Sequence, residues 1–216
     1  MEVEYKDLFI TSVGSDMWGM RTKDSDLDLM RTYQADTKSI LSGRSVKYTI
    51  PDRTYTDKNM GLVDEKAQEI GHLVNKLIDG NINAIWTVCS PLVVKNHPYL
   101  DTLRKITTQN LSKASYRSLN GMAISQLKDH IRRAGVMPEG KALKTAYRTC
   151  AFGIEMLTDG TLPFRPVEFQ PTELFVQEAL ELLRVSYEKS PLPEYPDPAP
   201  FRGFILRARL EELGEI

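Results

Sequence analysis

Asp26 and Asp28 stand two residues apart, with the apolar Leu27 and Leu29 between and after them. Side chains at i and i+2 of a β-strand share one face. This spacing therefore presents two carboxylates side by side above an apolar underside. Paired hard oxygen ligands suit Mg²⁺ or Mn²⁺, which bind through one or two carboxylates together with substrate phosphates. Upstream, Gly14-Ser15 and Gly19 frame a tight turn. Small residues let a backbone approach a ligand closely, and the N–H groups at the start of a short helical turn over Asp16 to Met20, with the Ser15 hydroxyl, suit an anion. A phosphate-holding turn followed by a metal-holding strand is the equipment of triphosphate chemistry.

Other readings of the acidic run are weaker. A row of alternating aspartates is often just a solvated strand face, but here a Gly-Ser turn immediately precedes it. As an EF-hand, Asp24, Asp26 and Asp28 would take the first three ligand positions. The required glycine would then fall at Leu29 and the bidentate glutamate at Ala35, so the pattern fails. No Gly-x-x-x-x-Gly-Lys-Ser/Thr loop occurs in the chain. Asp24 belongs to the turn entering the strand.

The elements that position these residues follow from local pattern. The apolar, β-branched run at 8–13 predicts a buried strand ending at Gly14. Further strands are expected at 26–33 and 45–50, the latter broken by Pro51 and Asp52. Ile70, Leu73, Val74, Leu77 and Ile78 form one helical stripe, so a helix is expected over 65–78, stopped at Gly80-Asn81. Asp64 precedes it. Its sequence position fits two roles equally: a third carboxylate beside Asp26 and Asp28, or the N-cap of that helix. Glu69, one turn in, is the poorer candidate for a ligand. The second half reads as helices at 98–111, 115–133, 140–158, 172–189 and 200–213, with a proline-rich strap at 190–200.

Gly14-Ser15, Gly19 and Asp24-Ser25-Asp26-Leu27-Asp28-Leu29 resemble the signature of the DNA polymerase β-like nucleotidyltransferase superfamily: Gly-Ser, a helical turn, then Asp-x-Asp on the next strand. Val63-Asp64, Glu69 and Leu77-Ile78-Asp79-Gly80-Asn81-Ile82-Asn83-Ala84 resemble its small "predicted nucleotidyltransferase" branch, with Ile82 in place of the usual proline. The resemblance covers the first half well and the rest loosely. It implies an α/β (α+β) fold, with a mixed-sheet nucleotidyltransferase core at 1–100 followed by a helical subdomain at 101–216. It also implies Asp26, Asp28 and Asp64 as catalytic metal ligands and Gly14 and Ser15 as phosphate holders. The expected cofactor is Mg²⁺ (or Mn²⁺), with an NTP, ATP first, as substrate.

Charge is uneven. The formal net charge is −1, which by itself selects no partner. Residues 1–102 carry net −3, residues 103–150 net +8 and residues 151–216 net −6. A basic segment beside an acidic metal site suits a triphosphate or a nucleic-acid backbone, and equally describes a solvated helix face. Within it Lys141, Lys144 and Arg148 fall at i, i+3 and i+7, one helical face that could clamp a triphosphate; Arg132-Arg133 is a weaker version. An RNA 3′ end, a protein hydroxyl (as in nucleotidyltransferases of toxin–antitoxin pairs) and a small molecule all fit as acceptor, and the basic segment tilts the choice to RNA. A catalytically inactive nucleotide-binding module and a phosphohydrolase are the competing classes. Cys89 and Cys150 are isolated and His72, His97 and His130 scattered, so neither type forms a metal or catalytic set. There is no signal-peptide pattern and no long apolar run, so a soluble cytoplasmic protein is expected.

Overall fold

The computed structural model describes residues 5–23, 25–43, 52–132 and 140–216. The strand expected at 45–50 lies outside them, as do Asp24 and Arg133. The described chain is α+β, a mixed sheet with helices, and forms two compact units.

The first unit comprises residues 1–78, 83–110 and 197–216. Its sheet is built from β1 (Tyr5–Ser12), β2 (Leu27–Ala35), β3 (Arg53–Asp57), β4 (Gly61–Glu69) and β5 (Val93–Lys95), in the order β3-β4-β2-β1-β5. Among the described residues only β2 and β4 run parallel, which makes the sheet mixed. The same unit holds α1 (Thr37–Leu41), α2 (Ile70–Ile78), α3 (Ile82–Cys89), α4 (Pro98–Gln109) and α8 (Pro198–Leu213). The second unit, residues 79–82 and 111–196, carries α5 (Ser115–Arg132), α6 (Lys141–Asp159) and α7 (Glu173–Lys189).

β4 corrects the expected helix over 65–78. Glu65 to Glu69 continue the strand, and the helix begins at Ile70, where the apolar stripe itself begins. Glu65, Lys66, Ala67 and Gln68 are good helix formers by propensity. Parallel pairing with β2 overrides that preference, burying Val63, Glu65 and Ala67 in strand alternation. The N-cap role consequently falls to Glu69, not Asp64. The Glu69 carboxylate accepts hydrogen bonds from the N–H groups of Gly71 (2.6 Å) and His72 (3.3 Å), as a residue filling the orphan donors of a first turn does.

Glu69 also fastens the C-terminal helix. Arg209 of α8 donates to Glu69 at 2.5 Å and to the Ala35 carbonyl at 2.9 Å. Gln34 donates to the Ala208 carbonyl at 3.1 Å, and Glu212 accepts from the Thr37 N–H at 2.9 Å. These contacts place α8 with the sheet, although the sequence groups 200–213 with the other late helices. A line at residue 100 runs through α4.

The second unit packs α5, α6 and α7 closely. A Cβ on Gly153 would come within 2.7 Å of the Leu183 side chain and 2.9 Å of the Leu119 side chain, so a larger residue there requires those leucines to shift. The proline-rich strap is held from both sides: Ser190 donates to the Leu157 carbonyl at 2.5 Å, and Pro193 accepts from the Lys113 N–H at 2.9 Å. Arg148 departs from the expected basic face. It is buried, and burial pulls its guanidinium down to about 10, whereas Lys141 is exposed and Lys144 half-buried.

Candidate active site

The site grows out of the first halves of two parallel strands. Asp26 leads into β2, and Asp28 is that strand's second residue. The parallel register pairs Asp28 with Asp64 of β4, and Leu27 with Val63. Adjacent strands lie about 4.8 Å apart, so the register brings Asp64 to the pair that β2 already presents. One carboxylate oxygen from each of Asp26, Asp28 and Asp64 lies within 4.8 Å of the others, and all three residues are half-buried. On the opposite face Leu27, Leu29 and Val63 form an apolar cluster with Ile10 and Met60. The alternation read from the sequence is therefore the alternation of the sheet.

The Gly-Ser turn packs directly on this triad. The Val13 N–H donates to the Asp28 carbonyl at 2.9 Å. Gly14 has φ +63°, and a Cβ there would lie 1.9 Å from Asp28 Oδ2. Only glycine meets both the backbone conformation and the space. Ser15 opens a one-turn 3-10 helix, Asp16–Trp18; its carbonyl accepts from the N–H groups of Trp18 and Met20, and its own half-exposed hydroxyl makes no capping bond. The turn is anchored by Met17 and Trp18, both buried, with Trp18 edge-on to Trp86 at 5.3 Å. A polar chain holds the strand beneath it. Arg104 donates to the Ser90 carbonyl, Ser90 Oγ to the Ser12 carbonyl (2.6 Å), and Ser12 Oγ to Asp16 (2.8 Å). Arg21 donates to the Met60 carbonyl at 2.5 Å, tying the following loop to the β3–β4 turn.

The donor set fits a hard divalent cation: three carboxylates from two adjacent strands, with glycine backbone pressed against one of them. Among the described residues no Lys, Arg or His forms an ion pair with Asp26 or Asp64. Lys66, exposed and two residues along β4 from Asp64, shares the triad's face by strand alternation.

The other face of the same strands is charged as well, but internally satisfied. Buried Arg31 of β2 meets Glu65 of β4 at 3.0 Å and Asp7 of β1 at 3.1 Å. Burial alone would lower the Arg31 guanidinium; Asp7 and Glu65 outweigh it and hold it above its ordinary value. Tyr55 Oη reaches Glu65 at 3.5 Å.

The sequence reading missed β3, and with it Thr54. Thr54 lies opposite Asp64 in the antiparallel β3–β4 register, and its hydroxyl donates to Asp64 Oδ1 at 3.3 Å. The signal was present in the Thr-Tyr-Thr run at 54–56, β-branched and aromatic as strands prefer. Lys141 and Lys144 lie at the start of α6 in the helical unit.

A family model described as RlaP, the RNA repair pathway DNA polymerase beta family, matches residues 2–212. The chain belongs to this family, and so to the DNA polymerase β-like nucleotidyltransferases that its motifs resemble. Among solved structures it is similar to a nucleotidyltransferase-like protein from Exiguobacterium sibiricum 255-15, at 14% identity and TM-score 0.34, covering 96% of this chain and 72% of that one. No curated protein matches. No helix among the described residues is long and apolar enough to cross a membrane.

Proposed function

We propose that this protein transfers a nucleoside monophosphate from a nucleoside triphosphate, ATP first, to an acceptor hydroxyl at an RNA 3′ end, with release of pyrophosphate. The observation that carries this reading is the convergence of Asp26, Asp28 and Asp64 to within 4.8 Å beside the Gly14-Ser15 turn. Membership in a family of RNA repair supports RNA as the acceptor over a protein hydroxyl. An intact triad speaks against a module that only binds nucleotide.

In this reading Asp26, Asp28 and Asp64 hold Mg²⁺ or Mn²⁺. Bound divalent cations would lower the pKa of an attacking hydroxyl and neutralise charge on the phosphates. The remaining work belongs to the chain itself. Gly14 brings backbone against Asp28 and leaves the turn open to a phosphate. Ser15 offers its hydroxyl and the N–H groups of the first turn to the β- and γ-phosphates. We assign Lys66, on the triad's face, to phosphate charge, and, on sequence position alone, Lys141 and Lys144 of α6, of which Lys141 is exposed and Lys144 half-buried. Rate then comes from positioning and electrostatics. Two free cysteines, Cys89 and Cys150, fit a reducing compartment, and we place the activity in the cytoplasm.

The test is transfer of label from α-labelled nucleotides, all four in turn, with Mn²⁺ or Mg²⁺, to cell RNA, to cell protein and to no acceptor. Label in RNA that requires Asp26 and Asp28 supports the reading. Label in protein moves the acceptor to a protein hydroxyl, and release of nucleoside monophosphate without acceptor makes the protein a hydrolase.

A further inference from the structure

We infer that Thr54 is a positioning residue for the metal site: its hydroxyl fixes the rotamer of Asp64 and so completes the triad. The inference rests on the assignment of Asp26, Asp28 and Asp64 as metal ligands.

The three carboxylates are not held alike. Asp26 and Asp28 come from one stretch of backbone, and strand geometry alone places them on one face. Asp28 is further hemmed in by Gly14, whose Cα leaves no room for a Cβ beside Asp28 Oδ2. Asp64 arrives from a different strand. It stands directly opposite Asp28 in the parallel register, and like charges placed so repel. Left to itself, a half-buried aspartate in that position turns away from its neighbour. Its other flank is β3, and there the antiparallel register sets Thr54 opposite it. Thr54 is β-branched, with few χ1 states open to it, and it donates its hydroxyl hydrogen to Asp64 Oδ1 at 3.3 Å. A carboxylate has about four lone-pair sites on its two oxygens. One bond from Thr54 fixes its orientation and leaves ample capacity for a cation. Outer partners of this kind orient metal ligands, and their loss costs about 10–100-fold in metal affinity or activity. Thr56 is the internal control. It occupies the same face of β3 two residues on, but pairs with Leu62 and has no carboxylate opposite.

The experiment measures Mn²⁺ affinity by electron paramagnetic resonance on the full chain, with no nucleotide. Thr54→Val keeps the shape and removes the donor; its Kd is expected to rise about tenfold, the low end for a partner exposed to water. Thr54→Ser restores the donor and is expected to bind within about twofold of wild type. Thr56→Val is expected to bind as wild type. In nucleotidyl transfer, Thr54→Val is expected to regain its rate at raised Mn²⁺, which damage to the strand would not allow. Wild-type Mn²⁺ affinity in Thr54→Val, alongside clear weakening in Asp64→Asn, overturns the role of Thr54 alone. Unchanged affinity in Asp64→Asn overturns the triad, and this inference with it.

Discussion

Asp64 and Glu65 are neighbours in sequence and face opposite sides of the sheet, and the protein treats their charges differently. Glu65 is answered from within. Buried Arg31 bridges it to Asp7, stitching β4, β2 and β1 together. Asp64 is answered by a threonine hydroxyl and faces Asp28, another carboxylate. A buried ion pair whose partners are supplied by the chain fixes strand pairing. The carboxylate cluster has no ion pair to Asp26 or Asp64 among the described residues, an arrangement compatible with a cation from outside the chain. One pair of strands thus carries an ion-paired face and an open acidic face, divided by strand alternation.

The sharpest way to break that contrast is to neutralise each face in turn. Asp28→Asn or Asp64→Asn is expected to lower nucleotidyl transfer by about 10²–10³-fold, the scale of losing one electrostatic element of a transition-state site, with the melting temperature little changed. Transfer of label at wild-type rate in either variant would remove the chemical role from this face. Arg31→Met leaves Glu65 and Asp7 without their cationic partner. Breaking a buried pair costs about 3–5 kcal/mol, and since Asp7 is one-third exposed the low end, about 3 kcal/mol, is expected in urea unfolding. Mn²⁺ affinity of the folded Arg31→Met protein should stay near wild type. If it fell as far as in Asp64→Asn, the two faces would not be separable.

Two glycines sharpen the comparison at smaller scale. Gly14 and Gly19 both have positive φ, near +63° and +66°, but only Gly14 has a carboxylate where its Cβ would go. Gly14→Ala should displace Asp28 and weaken Mn²⁺ binding by about tenfold, as loss of ligand orientation does. Gly19→Ala should cost only the left-handed backbone, about 1–2 kcal/mol of stability, and leave Mn²⁺ affinity intact. Equal effects on metal binding would show that turn strain, not the contact with Asp28, governs the site. The smallest effect concerns the thiols. Burial pushes both Cys89 and Cys150 up to about 12. The thiolate is the reactive form, so the folded protein should resist iodoacetamide at pH 8 and become reactive at both positions in urea. Fast labelling of the folded chain would contradict the burial of Cys150 and the raised thiol of half-buried Cys89.

Much of the acidic face, as a candidate site, was legible in the sequence because its signals are local. The period of two that aligns Asp26 with Asp28, and the glycine that a tight turn demands, are written within sixteen residues. The helices of the second half likewise carry their own stripes and caps. The errors arose where distant pairing decides. Glu65 to Gln68 have helix-forming side chains, and pairing with β2, joined at Glu65 by β3, makes them strand. Lys141, Lys144 and Arg148 share a helical face by spacing, yet packing within the helical unit buries Arg148 and leaves Lys141 in water.

The sequence alone determined that a Gly-Ser turn and a carboxylate pair stand together, since both depend on backbone geometry over a few residues. Which of two roles Asp64 plays, cap or third carboxylate of the cluster, was beyond it. The register between β2 and β4 settled its position, setting Asp64 beside Asp28 while Glu69 took the helix cap. Tertiary structure also decided which acids are met by Arg31 and which are left facing one another. Register is a property of two segments thirty-six residues apart, here Asp28 and Asp64, and no local pattern in either one encodes it.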